Sequence, residues 1–319
     1  MPNDITYAET FQGFLDEELE HRSYTGWMVP EESMIQYEGG DTVKIAQLTV
    51  SGLGDYKATT DGSAYPNGSV SLKWMPYTFN MDRAVRFLLG RTVPSDSGFM
   101  LTSENVMRTF ASKQLVPEQD MYRFNAIYAA RLAKDAAETD KADQVKSLSV
   151  ELTKDNCVDY VTNFYSIIKE ASNEEQNFVA FMAMKYEPLF RAASSSNHNS
   201  VQFGKTVTIN GITYKCAIVN DLAIVFVPSS RMQTVIKVND GRTEGQTAGG
   251  IVKDATSKGI ALIIMSSDAV IALGKVDSIK VIPCDVQQTS DETTINYHYM
   301  YDCWPMDNQL ATVGIVTEA

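Results

Sequence analysis

The sequence contains no cluster of lysine or arginine residues. Its 319 residues carry 27 basic against 40 acidic side chains, which gives a formal net charge of −13. A protein that gains affinity for nucleic acid by neutralising phosphates needs clustered basic residues. The composition therefore argues against direct nucleic-acid binding, although an acidic wall that encloses nucleic acid without gripping it is compatible with this charge.

Paired cysteines, a secretion signal and long apolar runs are also missing. The four cysteines stand alone at Cys157, Cys216, Cys284 and Cys303, so neither a zinc ribbon nor a thioredoxin motif is encoded, and reduced, mostly buried thiols are expected. The N-terminus lacks the basic and apolar regions of a signal peptide. No stretch approaches the roughly 18 apolar residues that cross a bilayer. We expect a soluble protein made in the cytoplasm, without contact to a membrane.

Catalytic motifs are absent as well. The sequence has no HExxH, GxSxG or kinase pattern. Gly245–Gly250 has the spacing of a phosphate-binding loop, but Ile251 stands where the lysine is required. The histidines His21, His198 and His298 have no cysteine at ligand spacing, so no metal or other cofactor is expected. An enzyme of unrecognised class has no constellation of residues to support it.

A long two-stranded ribbon is predicted between residues 41 and 80. Its first strand is Thr42–Val50, and in the second, Ser69–Phe79, apolar and polar residues alternate with period two. The intervening residues 51–68 contain four glycines and Pro66, which indicates a turn-rich tip. A two-stranded ribbon is barely stable alone in water. It must therefore lie either on its own core or across a neighbouring subunit.

A long helix is predicted after the ribbon. A first short helix begins at Thr102 or Ser103, and Pro117 interrupts it and starts a second helix that runs to Ala137, about 30 Å long. Its apolar face is predicted from helical spacing to comprise Met121, Phe124, Tyr128 and Leu132. A further helix is predicted over Asp155–Ala171.

Strands dominate the rest of the chain. Asn210-Gly211 between two apolar runs predicts a hairpin with a type I′ turn. Buried strands are predicted at Phe178–Met184, Leu222–Val227 and Ile260–Met265, and the glycine-rich residues 239–250 are predicted to form a loop. The expected class is α+β with mostly antiparallel strands.

The N-terminal residues 1–37 are acidic and carry one short amphipathic piece. Its apolar side chains are Phe11, Phe14, Leu15 and Leu19. This pattern is typical either of an arm that packs on another surface or of a loosely docked terminus.

The order of these elements resembles that of the HK97-like major capsid proteins of tailed bacteriophages. Five segments carry the resemblance, which extends over roughly residues 38–316: Val43–Asp82, Val116–Phe124, Ile224–Met232, Ile263–Pro283 and Tyr297–Gln309. The resemblance implies an α+β, HK97-like capsid fold with an N-terminal arm, an extended hairpin called the E-loop, a long spine helix, a P domain and an A domain. The implied divisions are an arm at 1–37, an E-loop at 38–88, a P domain with the spine helix at 89–150, an A domain at 151–274, and the C-terminal part of the P domain at 275–319.

The resemblance also implies a function. A family member would be a non-enzymatic major capsid protein that forms pentamers and hexamers of the icosahedral shell around double-stranded phage DNA, without binding that DNA specifically. It would work with a scaffolding protein and a portal protein, and in some cases a decoration protein. It would be assembled in the bacterial cytoplasm and end in the virion. Two alternatives stay open: an encapsulin-like nanocompartment shell, and another virion structural protein.

Candidate contact residues follow from the same resemblance. The E-loop candidates are Gly52, Leu53, Gly54, Asp55, Tyr56, Lys57, Tyr65 and Trp74. The spine-helix candidates are Pro117, Glu118, Asp120, Tyr122 and Arg123. The candidates in an A-domain loop around the capsomer axis are Arg242, Glu244, Gly249 and Gly250.

Overall fold

A computed structural model describes ten stretches of the chain. They are residues 23–30, 35–39, 41–52, 68–90, 103–137, 144–148, 151–172, 177–195, 201–282 and 291–318. Within them the helices are α1 (Ser103–Phe110), α2 (Val116–Ala137), α3 (Cys157–Ser172) and α4 (Glu187–Ser195). The strands are β1 (Ile35–Gly39), β2 (Thr42–Val50), β3 (Val70–Thr78), β4 (Met81–Gly90), β5 (Val145–Ser147), β6 (Phe178–Ala183), β7 (Val201–Ile209), β8 (Ile212–Val219), β9 (Leu222–Val227), β10 (Ile236–Val238), β11 (Ile251–Lys253), β12 (Ile260–Ser266), β13 (Val270–Ile282), β14 (Glu292–Pro305) and β15 (Gly314–Thr317).

A seven-stranded sheet forms the largest layer, in the order β5-β15-β12-β6-β9-β8-β7. Its central strands β6 and β12 are buried at every position, because helices cover both faces. Alternate residues point to opposite sides: Phe181 packs in the cluster that contains Phe124 of α2, whereas Met182 packs in the cluster of α3 and α4. The Asn210-Gly211 turn between β7 and β8 has φ angles of 44° and 86°, which confirms the predicted type I′ hairpin.

A three-stranded antiparallel sheet, β13-β14-β4, lies beside it. The strand β14 is 14 residues long and pairs with β13 on one side and β4 on the other. One of its faces, with Tyr297, Tyr299 and Tyr301, packs against α1 and the start of α2. The other face, with Met300 and Trp304, receives the ribbon β2–β3. This sheet therefore joins the long helix to the ribbon.

The helices α1 and α2 form one continuous rod, which corrects the prediction that Pro117 separates two helices. A π-helical segment, Ala111–Leu115, connects them, and the Val116 N–H donates to the Ala111 carbonyl. In a regular α-helix the Pro117 ring would meet the carbonyl of residue 113. The wider π turn just before the proline accommodates the ring without ending the helix.

The buried face of α2 differs from the predicted one at its end. Phe124 and Ile127 are fully buried, but Leu132 is 45% exposed and Arg131 is buried in its place. Arg131 donates from Nη1 to the Leu310 carbonyl at 3.0 Å and pairs with Asp135. The prediction for Leu132 was wrong because hydrophobic spacing does not register a charged side chain whose partners lie inside.

The predicted domain divisions stay predictions, and several strands cross them. β1 spans the division at 37/38, β4 spans the one at 88/89, and β13 spans the one at 274/275. The last strand, β15, lies in the seven-stranded sheet together with strands of the predicted A domain. The sheets therefore do not follow the linear divisions.

Candidate assembly surfaces

The ribbon β2–β3 is anchored at its base. Val43, Ile45 and Phe79 are buried against Trp304 of β14 in one apolar cluster. The Phe79 ring lies 5.4 Å from the Trp304 ring, between centroids. Aromatic contacts of this kind add to the free energy of burying the same area. The base is therefore fixed to its own subunit.

A buried carboxylate, that of Asp302, stabilises the joint between the base of the ribbon and the rest of the subunit. Its Oδ2 accepts hydrogen bonds from the backbone N–H and the side-chain amide of Asn80, at 3.0 and 2.7 Å. Its Oδ1 accepts one from the Tyr122 hydroxyl at 2.7 Å. Burial and this hydrogen bond raise the pKa of Tyr122 above its usual value, so the hydroxyl stays a donor. One side chain thus connects the ribbon, the long helix and β14.

The far part of the ribbon is exposed and apolar. Val50 lies directly opposite Val70, and Leu72 follows on the same face. These three side chains, here called the ribbon stripe, are 61%, 72% and 58% exposed. Full burial of such a side chain contributes about 1.5 to 3 kcal/mol. The ribbon stripe is therefore a surface that gains stability only against another surface.

Two of the E-loop candidates, Gly52 and Trp74, lie in the described part of the chain. Gly52 is exposed beyond β2, and a side chain added there would meet no atom within 4 Å. Trp74 is half-buried in β3. Leu53, Gly54, Asp55, Tyr56, Lys57 and Tyr65 lie outside the described residues. In the described part of this sheet β3 is an edge strand, which leaves backbone groups available for a partner.

The start of α2 is braced by Glu118. Its carboxylate accepts hydrogen bonds from Arg83 Nε at 3.0 Å and from the Tyr301 hydroxyl at 2.8 Å. Burial, followed by the charge of Glu118, raises the pKa of Tyr301. Pro117 beside it is half-buried. Glu118 therefore ties α2 to β4 and β14 of its own subunit.

Asp120 and Arg123 hold a plug formed by residues 23–28. Asp120 accepts hydrogen bonds from the hydroxyls of Ser23 and Thr25, both at 2.6 Å. Arg123 donates from Nη1 to the Thr25 carbonyl at 3.1 Å. Trp27 is buried, and its ring stacks on Phe181 at 6.0 Å between centroids. This part of the predicted arm is thus packed into its own subunit.

The loop 239–250 lies against the start of α2. It connects β10 to β11, and Arg83 donates from Nη1 to the Asn239 carbonyl at 2.9 Å. Arg242 and Glu244 are exposed, whereas Gly249 and Gly250 have φ angles of 63° and 78°. Side chains rarely adopt such angles, which explains the two glycines.

The turn at the tip of this loop is closed by Asp240. Its carboxylate accepts hydrogen bonds from the Thr243 hydroxyl and from the backbone N–H groups of Arg242 and Thr243. These bonds, with the Thr243 hydroxyl first, lower the pKa of Asp240 to about 2. The predicted axial loop therefore has a defined turn.

Sequence reasoning missed Asp302, Arg231 and Trp304. Arg231 donates from Nη1 to Asp120 at 2.7 Å, although 111 residues separate the two in the sequence. A charged residue inside an otherwise largely apolar stretch of a strand, as in Asp302 between Tyr301 and Cys303, is the local signal of a buried polar contact.

The described residues hold no group of three metal-ligating side chains. Cys157, Cys216 and Cys303 are buried free thiols, as predicted, whereas Cys284 lies outside the described part. In the stretches that the structure describes, no helix has the length and apolar character needed to span a membrane.

Comparison with known proteins identifies the fold. No family model matches the sequence, and no curated protein matches it. A solved structure from Microbacterium phage Oxtober96 has a TM-score of 0.54 and 13% identity, covering 93% of this chain and 91% of that chain. The mature capsid of bacteriophage PhiM1 has a TM-score of 0.51 and 11% identity over 88% and 83%. The capsid of cyanophage P-SCSP1u has a TM-score of 0.50 and 11% identity over 89% and 85%.

These similarities extend over most of each chain at 11 to 13% identity. They show that this chain has the mixed helix-and-sheet fold of phage capsid proteins. The predicted HK97-like fold, with a long helix, is thereby confirmed.

Proposed function

We propose that this chain is the major capsid protein of a tailed bacteriophage and that its subunits build the shell around the genome. The ribbon stripe is the observation that carries the proposal. Its three side chains are more than half exposed, although the base of the same ribbon is anchored by Trp304 and Asp302. A monomer gains nothing from such an arrangement, whereas a neighbouring subunit would cover it.

The anchoring gives the ribbon a fixed direction. The same Asp302 that holds Asn80 also accepts a hydrogen bond from Tyr122 of α2, so the ribbon leaves the subunit from a braced joint. A contact between the ribbon of one subunit and a different surface of the next is heterologous, and heterologous contacts form rings when the rotation between neighbouring subunits closes. We therefore infer pentamers and hexamers as the building units of an icosahedral shell.

The negative net charge supports a shell protein that does not bind the nucleic acid it encloses. The net charge is −13, so the chain offers no general attraction to phosphate. Double-stranded DNA would be enclosed without specific binding. We propose a non-enzymatic virion protein that assembles in the bacterial cytoplasm with a scaffolding protein and a portal protein, and with a decoration protein in some shells.

The test compares the expressed chain with two leucine variants. Leu72→Gln removes one apolar side chain from the ribbon stripe, and Leu132→Gln makes the same change at a 45% exposed position on α2. We expect the natural chain and Leu132→Gln to sediment as capsomers or shells, and Leu72→Gln to sediment mainly as a subunit of unchanged stability. Equal assembly of both variants would contradict the proposed role of the ribbon.

An encapsulin-like compartment would also form shells and is distinguished by what the particles contain. Particles purified from infected cells are expected to contain double-stranded DNA. Particles filled with a protein cargo and free of DNA would favour the alternative.

A further inference from the structure

The hairpin β7–β8 contacts the N-terminal plug through two hydrogen bonds. At the tip of its turn, Asn210 donates from Nδ2 to the Trp27 carbonyl at 2.9 Å. On β8, the Tyr214 hydroxyl donates to the Ser23 carbonyl at 3.0 Å. The plug is therefore held by the hairpin as well as by Asp120 of α2.

The two contacts differ in their access to water. Tyr214 is buried in the same apolar cluster as Trp27. Asn210 is exposed, and so is Gly211, the second residue of the turn. Exposed hydrogen bonds open more often than buried ones, because water can replace the partner. The contact between Asn210 and the plug is therefore easier to open than that of Tyr214.

The turn combines an asparagine with a following glycine, a pair that is prone to deamidation because glycine has no side chain to shield its backbone nitrogen. Gly211 has a φ angle of 86°, and no atom lies within 4 Å of the position of an added Cβ. The pairing of β7 with β8 ends at Ile209 and Ile212, so the Gly211 nitrogen lies outside the ladder. The attacking nitrogen and the amide that it attacks are thus both in an exposed turn.

The reaction needs no partner other than water. The Gly211 nitrogen attacks Cγ of Asn210 and forms a C–N bond, and the bond from Cγ to Nδ2 breaks. The proton lost by the attacking nitrogen leaves with the amide nitrogen as ammonia. Water then opens the succinimide ring at either of its carbonyls. The product is an aspartate, or an isoaspartate in which the main chain runs through Cβ.

The docked plug opposes the first step. The Nδ2 atom that leaves is the donor to the Trp27 carbonyl, so this hydrogen bond restrains the side chain and must break. Ring closure also requires Asn210 to leave the left-handed conformation of the type I′ turn, where its φ angle is 44°. Both requirements slow the attack while the plug and the hairpin stay together.

Either product changes the contact that protected the amide. The amide of Asn210 donates to the Trp27 carbonyl, whereas a carboxylate offers only acceptors, so two acceptors would face each other. An isoaspartate also adds one atom to the main chain of a two-residue turn. The modification therefore weakens the attachment of the plug.

We propose that Asn210 is a site of spontaneous deamidation that the docked plug protects, and that its conversion to a carboxylate loosens the plug. Loss of ammonia makes the change irreversible. The proposal concerns a single subunit and does not depend on shell formation, so its failure leaves the proposed capsid function intact.

Peptide mass spectrometry of the full-length chain, incubated in mildly alkaline buffer, tests the protection. The rate at Asn210 is compared among the natural chain, Asp120→Asn and Gly314→Ala. Asp120→Asn removes bonds that hold the plug on α2, whereas Gly314→Ala disturbs the contact with Ile168 of α3. Because both variants are expected to lose stability, the comparison separates release of the plug from a general loss of stability.

The natural folded chain is expected to deamidate at Asn210 at least about 10-fold more slowly than the chain unfolded in urea. In Asp120→Asn the rate should rise at least about 3-fold, and in Gly314→Ala it should stay within about 2-fold of the natural rate. Asn220 is the internal reference, because it is exposed with a φ angle of 45° but is followed by Asp221.

A variant that reproduces one product tests the consequence. In Asn210→Asp, hydrogen exchange at the Thr25–Met28 amides should accelerate at least about 3-fold. Asn220→Asp is the matched control, because Asn220 donates from Nδ2 to Thr162 Oγ1 at 3.1 Å, away from the plug. Exchange of the plug amides should be unchanged in this control.

Three outcomes would overturn the proposal. Equal rates at Asn210 in the folded and the unfolded natural chain would show that the plug gives no protection. A rate in Asp120→Asn that is no higher than in Gly314→Ala would show that release of the plug does not control the reaction. Unchanged exchange of the plug amides in Asn210→Asp would show that the modification does not loosen the plug.

Discussion

Replacing Asp120 with asparagine keeps the size of a buried side chain and removes its charge. The carboxylate is fully buried between α2 and the N-terminal plug. It accepts hydrogen bonds from the hydroxyls of Ser23 and Thr25, from Arg231, and from the backbone N–H groups of Tyr24 and Thr25. All of these partners are donors, and an amide offers them one acceptor oxygen only.

The expected loss in the free energy of unfolding is about 3 to 5 kcal/mol. A hydrogen bond to a charged group contributes about 1.5 to 3 kcal/mol, and each buried donor left without a partner costs about 1 to 3 kcal/mol. Arg231 is 17% exposed, so water partly compensates the loss of its charged partner. We therefore expect the loss in the free energy of unfolding to fall in the lower half of this range.

Urea unfolding of the unassembled subunit measures this loss. Asp307→Asn, at an exposed position after β14, is the matched control and should change stability by less than about 0.5 kcal/mol. Hydrogen exchange at the Thr25–Met28 amides should accelerate in Asp120→Asn. A loss below about 1 kcal/mol, with unchanged exchange at Trp27, would refute the anchoring role of Asp120.

Two substitutions and one chemical modification probe the packing. Gly314→Ala would place its Cβ 1.6 Å from Ile168 Cδ1, so we expect the free energy of unfolding in urea to fall by about 1 to 3 kcal/mol. No loss would show that the side chains around Gly314 can move to make room for a methyl group. Tyr122→Phe removes the hydrogen bond to Asp302 and should lower the free energy of unfolding by about 1 to 2 kcal/mol in the same assay. An unchanged unfolding midpoint would contradict the stabilising role of this hydrogen bond. Burial raises the pKa of the Cys303 thiol to about 12, so a thiol reagent at pH 8 should modify it only after unfolding, and rapid modification of the folded chain would contradict its burial.

Local patterns in the sequence locate the ribbon and the hairpin well. The predicted strand Thr42–Val50 matches β2, and the predicted second strand exceeds β3 by one residue at each end. Alternation with period two and the Asn-Gly turn act over a few residues, so they can be interpreted without knowledge of the fold. The same holds for the buried strands β9 and β12.

Long-range polar contacts could not be predicted in the same way. Asp302 and Asn80 are 222 residues apart, and Asp120 and Thr25 are 95 apart. A carboxylate near the start of a helix is usually solvated or stabilises the helix dipole. Only the folded arrangement shows that Asp120 and Glu118 bind other elements of the chain.

The ribbon itself was predicted to lie either on its own core or across a neighbour, and its two ends behave differently. Val43 and Ile45 at the base are buried within the subunit, whereas Val50 at the far end is 61% exposed. The apolar residues change phase along β2, from the odd positions Val43 and Ile45 at the base to the even position Val50 at the far end. The far end therefore presents its apolar side chains on the other face of the ribbon, away from Trp304, which is distant in sequence and covers the face that carries Val43 and Ile45.

A cryo-electron-microscopy reconstruction of the particles formed by the expressed chain locates the ribbon stripe directly. We predict closed shells or capsomers in which Val50, Val70 and Leu72 are buried against a neighbouring subunit. A chain that stays monomeric at high concentration, or particles in which the ribbon stripe faces solvent, would contradict the proposed capsid role.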